Sequence, residues 1–144
     1  TLHPVAGETR VQLELTDTAR EASYLTLAAR GFSLHPGDEE ASARGFVEVD
    51  RGFRILGVAP LMQHSGKTLR IDRVRAFSTT CVAQINHWEL YNHLRLYQYL
   101  TPPPEVFPGD RLDIACQFEI PIRLTGDGED ESNEQCLARL YIVR

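Results

Sequence analysis

Apolar and polar positions alternate most clearly near the C-terminal end of the chain. From Leu112 to Cys116 every second side chain is apolar, which is the period-2 mark of a half-buried strand. Pro108-Gly109-Asp110 precedes this segment and predicts a turn, because Pro fixes φ and Gly accepts the positive φ that many turns need. Leu140 and Ile142 predict a second strand, and about fifteen mainly polar residues separate the two.

The same alternation of apolar and polar positions predicts short strands, bounded by turn residues, in the rest of the chain. Asp50-Arg51-Gly52 predicts a hairpin turn between two of them, and no segment shows a sustained apolar period of about 3.6 residues. This pattern is typical of an all-β antiparallel sandwich or barrel. The further predicted strands are Val11–Leu15, Tyr24–Phe32, Phe46–Val49, Phe53–Ala59, Thr68–Val74, Cys81–Ile85 and Trp88–Leu100.

Length and composition limit the possible functions. At 144 residues the chain fits one domain, and we expect residues 1–9 to be an N-terminal tether and residues 10–144 a single sandwich. A net charge of −5 argues against nucleic acid, whose affinity depends on clustered Lys and Arg. No apolar run is long enough for a membrane span. The chain opens without Met, which predicts a processed form or a fragment.

Three cysteines indicate the compartment. Cys116 and Cys136 would face each other near the ends of the polar loop, which predicts a disulfide and hence an oxidising, extracellular or periplasmic location. Cys81 is then left over. We expect it to be a small buried hydrophobic residue in a strand, the alternative being a partner for a thiol in another domain.

The C-terminal segment resembles a known family. It contains Pro-Gly-Asp-x-Leu at 108–112, Cys116 in the strand that follows, an acidic loop with Gly128, then Glu134-x-Cys136 and an aromatic-aliphatic strand. This order is similar to the C-terminal half of the copper type II, ascorbate-dependent monooxygenases, which include the peptidylglycine α-hydroxylating and dopamine β-monooxygenases. The resemblance implies a sandwich of jelly-roll type and a second domain or protein partner. The oligomeric state is not predicted.

The resemblance also implies positions for copper ligands. The family holds one copper ion with a His-x-His pair on a strand and a Met just before the last cysteine. These positions fall on Leu61, Gln63 and Gln135, so all three ligands are replaced.

A shift of one residue gives an alternative copper site. Met62 and His64 stand at i and i+2 and would share one face of a strand, with Gln135 as a weak oxygen ligand for Cu(I). The competing interpretation is that Met62 fills the core and His64 lies on the surface.

Other candidate residues carry weaker signals. His87 and His93 are too far apart on an extended strand to share an ion, at about 20 Å. His3 would bind copper only at a free N-terminus. The acidic run Asp127–Glu131 with Glu134 predicts a solvated loop more than a calcium site, because it lacks the spacing of an EF-hand loop.

These observations leave three hypotheses. The first is a non-catalytic or accessory relative of the copper-hydroxylase C-terminal half, within a longer secreted protein and with no catalytic residue of its own. The second is a copper-binding monooxygenase-like domain that uses Met62 and His64. The third is a glycan- or protein-binding sandwich with Tyr91, Tyr97 and Tyr99 at the contact face.

Overall fold

The computed structural model describes residues 10–12, 14, 20–89, 98–128 and 133–144. Within these ranges every regular element is a strand, and all paired strands run antiparallel. The prediction of an all-β antiparallel sandwich is confirmed. The strands are β1 (Ala22–Ala28), β2 (Ser33–Leu34), β3 (Ala41–Glu48), β4 (Phe53–Leu61), β5 (Gly66–Arg75), β6 (Ser78–Ile85), β7 (Gln98–Tyr99), β8 (Glu105–Val106), β9 (Arg111–Phe118), β10 (Thr125–Gly126) and β11 (Leu137–Val143).

The first sheet has the order β1-β11-β4, and both β7 and β8 pair with the other edge of β4. Leu140 of β11 pairs with Leu25 on one side and with Val58 on the other. Ala138, Leu140 and Ile142 are buried, whereas Arg139 between them is exposed. The alternation that predicted this strand therefore places its apolar side chains in the core.

The second sheet has the order β3-β9-β5-β6. Its strand β9 is the one predicted from the alternation after Pro108, and Leu112, Ile114 and Cys116 are all buried. The predicted turn is also present, with Gly109 at a φ of 87°, which a side chain would disfavour. β10 and β2 form a separate two-stranded pair.

The core lies between the two sheets, and a disulfide crosses it. Cys116 belongs to β9 in the second sheet, and Cys136 directly precedes β11 in the first. Their sulfur atoms are bonded, with a Cα–Cα distance of 5.8 Å, and both residues are buried. The predicted disulfide is confirmed, and it joins the two layers of the sandwich.

Two edge strands close one side of the sandwich. Gly45 of β3 faces the end of β1, where a Cβ atom on Gly45 would lie 2.2 Å from the carbonyl oxygen of Ala28. Such a distance is impossible without movement of the backbone. Only glycine allows the two strands to approach this closely.

The predicted hairpin at Asp50-Arg51-Gly52 is wrong. The strands on either side of this turn belong to different sheets, because β3 pairs with β9 and β4 pairs with β11. The turn therefore carries the chain from one layer to the other. Hairpin and crossing connections share the same turn residues, so composition does not distinguish them.

Two predicted strands differ from the structure. Trp88 and Glu89 are not in a strand, Leu90 to Tyr97 lie outside the described residues, and β7 covers Gln98–Tyr99 only. Of Val11–Leu15, the described residues 11, 12 and 14 are not in a strand, and the others lie outside the described part. The tether predicted for residues 1–9 lies outside it as well. Among the described residues there is no helix with the length and apolarity of a membrane span.

The prediction that Cys81 is buried is wrong, because its thiol is free and exposed. Ala83 of β6 pairs with Ile71 and is buried, but the register then shifts and Cys81 pairs with Asp72. This irregularity places Val82 as an extra residue in β6. Without it, Cys81 would share the inward face with Ala83, as simple alternation predicts.

Candidate functional site

The positions on which the resemblance would place copper ligands lie near one end of the first sheet. Leu61 is the last residue of β4 and pairs with Leu137, the first residue of β11. Just beyond these strand ends, Glu134, the neighbour of Gln135, accepts a hydrogen bond from the backbone N–H of Gln63 at 3.1 Å, so the two segments lie side by side. Met62 follows Leu61 and belongs to the opposite face, toward the core.

Met62 is a core residue. Its side chain is 0% exposed. A Cβ atom on Gly66 would lie 2.8 Å from the Cβ of Met62 and 2.9 Å from Cδ1 of Trp88, so these three residues are closely packed. Trp88 is also buried and donates a hydrogen bond from Nε1 to the carbonyl oxygen of Gln63 at 3.1 Å. Its backbone N–H donates to the carbonyl oxygen of Lys67 at 2.8 Å.

Glu134 fixes the other side of this segment. Its carboxylate is 3% exposed and accepts hydrogen bonds from the backbone N–H groups of Gln63, at 3.1 Å, and Ser65, at 2.7 Å. The hydroxyl of Ser65 donates to the same carboxylate. The prediction that Glu134 belongs to a solvated acidic run is wrong, because this carboxylate is buried. Glutamic acid occurs too often on surfaces for composition to reveal this role.

His64 lies at the exposed tip of the turn that Glu134 and Trp88 hold. A cleft of about 280 Å³ adjoins it, lined also by Glu119, Arg123, Asn133 and Glu134. Hydrogen bonds to Glu134 and Trp88 hold the backbone of this turn, whereas the side chain of His64 is exposed.

A run of exposed apolar residues borders the same cleft. Ile120, Ile122 and Leu124 all lie on the surface after β9, and Ile122 is 98% exposed. Exposed aliphatic side chains this close together in sequence are uncommon on a soluble protein. Exposed apolar patches commonly mark contact sites.

Met62 and His64 do not share one face of a strand in this structure. The strand ends at Leu61, so the rule that i and i+2 share a face does not extend to His64. The Met62 side chain is buried in the core, His64 is exposed, and Gln135 is buried. This difference in exposure argues against a Cu(I) site that Met62 and His64 share. Copper binding itself stays a prediction.

The other candidate ligands are also dispersed. His87 is exposed and lies 3.5 Å from Glu89, whereas His3 and His93 are outside the described residues. In the described ranges no three His, Cys, Asp or Glu side chains are grouped closely enough for a metal ion. Tyr99 is exposed, and Tyr91 and Tyr97 lie outside the described part.

A second concave surface, which the sequence did not predict, lies on the outer face of the second sheet. Its cavity of about 350 Å³ is lined by polar side chains from all four strands. The only signal in the sequence was the polar half of each alternating strand, which any solvent-facing sheet also shows. Comparison with protein-family models and with curated proteins gave no match.

Proposed function

We propose that this chain is a non-catalytic recognition domain, an accessory part of a longer secreted or periplasmic protein. Its scaffold is similar to the C-terminal half of the copper type II monooxygenases. The observation that carries the proposal is the opposite exposure of Met62 and His64, the two residues that would have to replace the lost ligands. The contrast between a buried thioether and an exposed imidazole argues against a shared site.

The strand order supports a sandwich of jelly-roll type. One sheet contains β1, β11, β4 and β8 in that order, and the other contains β3, β9, β5 and β6. From β3 to β5, and again from β8 through β9 to β11, successive strands of the two large sheets alternate between them. Double-sheet folds built from two Greek keys have this kind of connection.

The surface near His64 supports the proposal of a partner. Ile120 and Ile122 line the cleft, and Leu124 is a further exposed aliphatic residue close by in the sequence. Another domain or protein would remove this surface from water, which is favourable in proportion to the apolar area covered. The inter-sheet disulfide supports an oxidising compartment, because such bonds persist mainly outside the cytosol.

A Cu(I) competition titration with a chromogenic chelator tests the non-catalytic assignment. We expect the wild-type domain to bind Cu(I) no more tightly than about micromolar, because two dispersed donors do not form a tight site. His64→Ala and the matched control His87→Ala, which removes another exposed histidine, should behave like wild type. Tight one-to-one binding that only His64→Ala abolishes would overturn the proposal in favour of the copper-binding alternative. Tight binding that survives both changes would overturn it as well.

A further inference from the structure

The outer face of the second sheet carries an ordered row of side chains across its four strands. Arg44 of β3 pairs with Ala115 of β9, Ala115 pairs with Arg70 of β5, and Arg70 pairs with Gln84 of β6. Residues directly opposite in neighbouring strands project from the same face. Two long arginines therefore stand on either side of the small Ala115, which forms the floor of the cavity described above.

A second polar row lies beside the first. Thr68 Oγ1 donates to Gln117 Oε1 at 2.9 Å, and Gln117 Nε2 donates to Glu40 Oε1 at 3.2 Å. On the far strand Gln84 Nε2 donates to Asn86 Oδ1 at 2.6 Å. These bonds fix the orientation of the amides, so the surface presents donors and acceptors in set positions. Such preorganisation reduces the entropy that a ligand must overcome.

Arg44 differs from the other arginines of this face because it has no carboxylate partner among the described residues. Arg70 donates to Asp72 at 2.8 and 3.0 Å and to Gln84 at 3.3 Å. Arg111 is paired with Asp113 at 2.6 Å. Within the described part of the chain, the Arg44 guanidinium makes no ion pair and no hydrogen bond. It therefore offers a free planar fork of donors, the geometry that binds a carboxylate in a bidentate manner.

An aromatic ring stands next to Arg44 on the same strand face. Phe46 is 63% exposed, and its ring has the Arg111 guanidinium on one side at 5.3 Å from the centroid. An exposed ring beside a row of hydrogen-bonding groups suits an amphipathic ligand that has both an apolar face and hydroxyl groups. Each hydroxyl is a donor and an acceptor, which matches the mixed lining of the cavity.

We propose that this face binds an acidic oligosaccharide, with a uronate carboxylate at Arg44 and the sugar hydroxyls along the row to Gln84. This inference rests on the proposed recognition function and names its ligand class. The row spans three interstrand gaps, about 14 Å in all, which suits a short oligosaccharide better than a single anion. The net charge of −5 disfavours nonspecific adhesion to polyanions, so binding depends on the local arginines.

Isothermal titration with tetragalacturonate tests this proposal, with neutral galactotetraose and monomeric galacturonate as comparison ligands. We expect the acidic tetramer to bind and the other two to bind at least tenfold more weakly. Arg44→Gln should weaken binding by about 10- to 100-fold, because it removes a charge-assisted pair. Arg139→Gln is the matched control, since Arg139 is an exposed arginine on the other sheet; it should leave the affinity unchanged.

A second variant keeps the test independent of Arg44. Ala115→Glu places a carboxylate between Arg44 and Arg70, where it should pair with them and compete with the ligand without disturbing the core. It should abolish binding while circular dichroism and the unfolding midpoint stay as in wild type.

The outcomes separate this inference from the function on which it rests. If galactotetraose bound as tightly as tetragalacturonate, the proposal that the ligand is acidic would be wrong. If monomeric galacturonate bound as tightly, the proposal that the ligand is an oligosaccharide would be wrong. The proposed location of the site would be wrong if none of the sugars bound. It would also be wrong if neither Arg44→Gln nor Ala115→Glu changed the affinity. The non-catalytic assignment fails only in the Cu(I) titration, which does not involve this face.

Discussion

The carboxylate of Glu134 accepts hydrogen bonds from both the backbone N–H and the hydroxyl of Ser65, which lies 69 residues earlier in the chain. The same group also accepts the N–H of Gln63. Glu134→Gln would turn an amide NH₂ toward at least one of these donors. We therefore expect the free energy of unfolding to fall by about 1–3 kcal/mol, the cost of leaving a buried polar group unsatisfied.

Urea denaturation measures this loss. Glu119→Gln is the matched control, because Glu119 lines the same cleft but is exposed, and it should change stability little. If the two variants were equally stable, the buried carboxylate would not be holding the His64 turn.

Arg75 and Asp110 predict an acid-sensitive contribution to stability. Asp110 accepts hydrogen bonds from Arg75 at 2.6 and 2.7 Å, and its side chain is 2% exposed. The hydrogen bond from Arg75 holds the pKa of Asp110 below its ordinary value; burial acts in the opposite direction but is outweighed, and the backbone N–H of Phe107 adds to the lowering. The native state therefore binds the proton less readily than the unfolded chain does. The contribution is present above the unfolded pKa of about 3.9 and is lost as the pH falls through the lower folded pKa.

Asp110→Asn should destabilise the domain at neutral pH by about 1–3 kcal/mol, because the charged hydrogen bonds are lost. The variant should then lose less stability than wild type on acidification below about pH 4. Urea unfolding as a function of pH measures both effects. Asp113→Asn, at the more exposed pair with Arg111, is the control and should keep the acid dependence of wild type. Parallel pH profiles for wild type and Asp110→Asn would contradict the prediction.

Removing both cysteines of the disulfide should lower the free energy of unfolding substantially. The double variant Cys116→Ala with Cys136→Ala frees a loop of 20 residues in sequence separation. In the chain-entropy model a loop of this length accounts for about 3 kcal/mol of stability. Thermal unfolding should show the loss, and added reductant should no longer lower the midpoint of the variant. Cys81→Ser changes an exposed thiol and should leave stability near that of wild type; an equal loss there would refute the assignment of the bond.

Gly45 gives a steric prediction. Gly45→Ala would force a Cβ atom against the backbone of Ala28, which has no flexible end that can move aside. We expect a loss of about 1–3 kcal/mol or more, typical of overpacking. Gly126→Ala is the control, since its nearest neighbour would be Asn133 Oδ1 at 3.7 Å, an ordinary contact. Chemical denaturation of the two variants compares them directly, and a stable Gly45→Ala protein would mean that the two edge strands separate easily.

Particular residues show how far the sequence predicts this molecule. Alternation from Leu112 to Cys116 predicts β9 correctly because that strand is regular and buried on one side only. The same rule fails for Cys81, where a register shift in β6 reverses the face. It fails for Met62 and His64 because β4 ends one residue before Met62.

The candidate site was harder to predict than the strands that support it. Glu134 looks like any member of an acidic run, and only the fold brings Ser65 to it. Arg44 and Arg70 are 26 positions apart in the printed sequence and become neighbours of Ala115 through strand pairing. Sites built from distant strands depend on register, which local patterns specify only in part.

The proposed likeness to the copper monooxygenases can be tested even if the wild-type domain does not bind copper. If the scaffold retains the family geometry, restoring its ligands should restore a site. The triple variant Leu61→His, Gln63→His and Gln135→Met introduces two imidazoles and a thioether at the three positions on which the resemblance places the copper ligands. We expect it to bind Cu(I) at least about 100-fold more tightly than wild type, since a soft thioether and two imidazoles suit this ion.

A displaced pair of histidines provides the control for that gain. Ala59→His with Leu61→His and Gln135→Met keeps the same ligand types but moves the histidine pair by two residues, about 7 Å along β4. Only the first triple variant should bind tightly in the chelator competition. Equal affinity of the two would mean that any surface histidine pair suffices. A folded triple variant without Cu(I) affinity would mean that the likeness stops at the sequence pattern and does not extend to the geometry of the ligand positions.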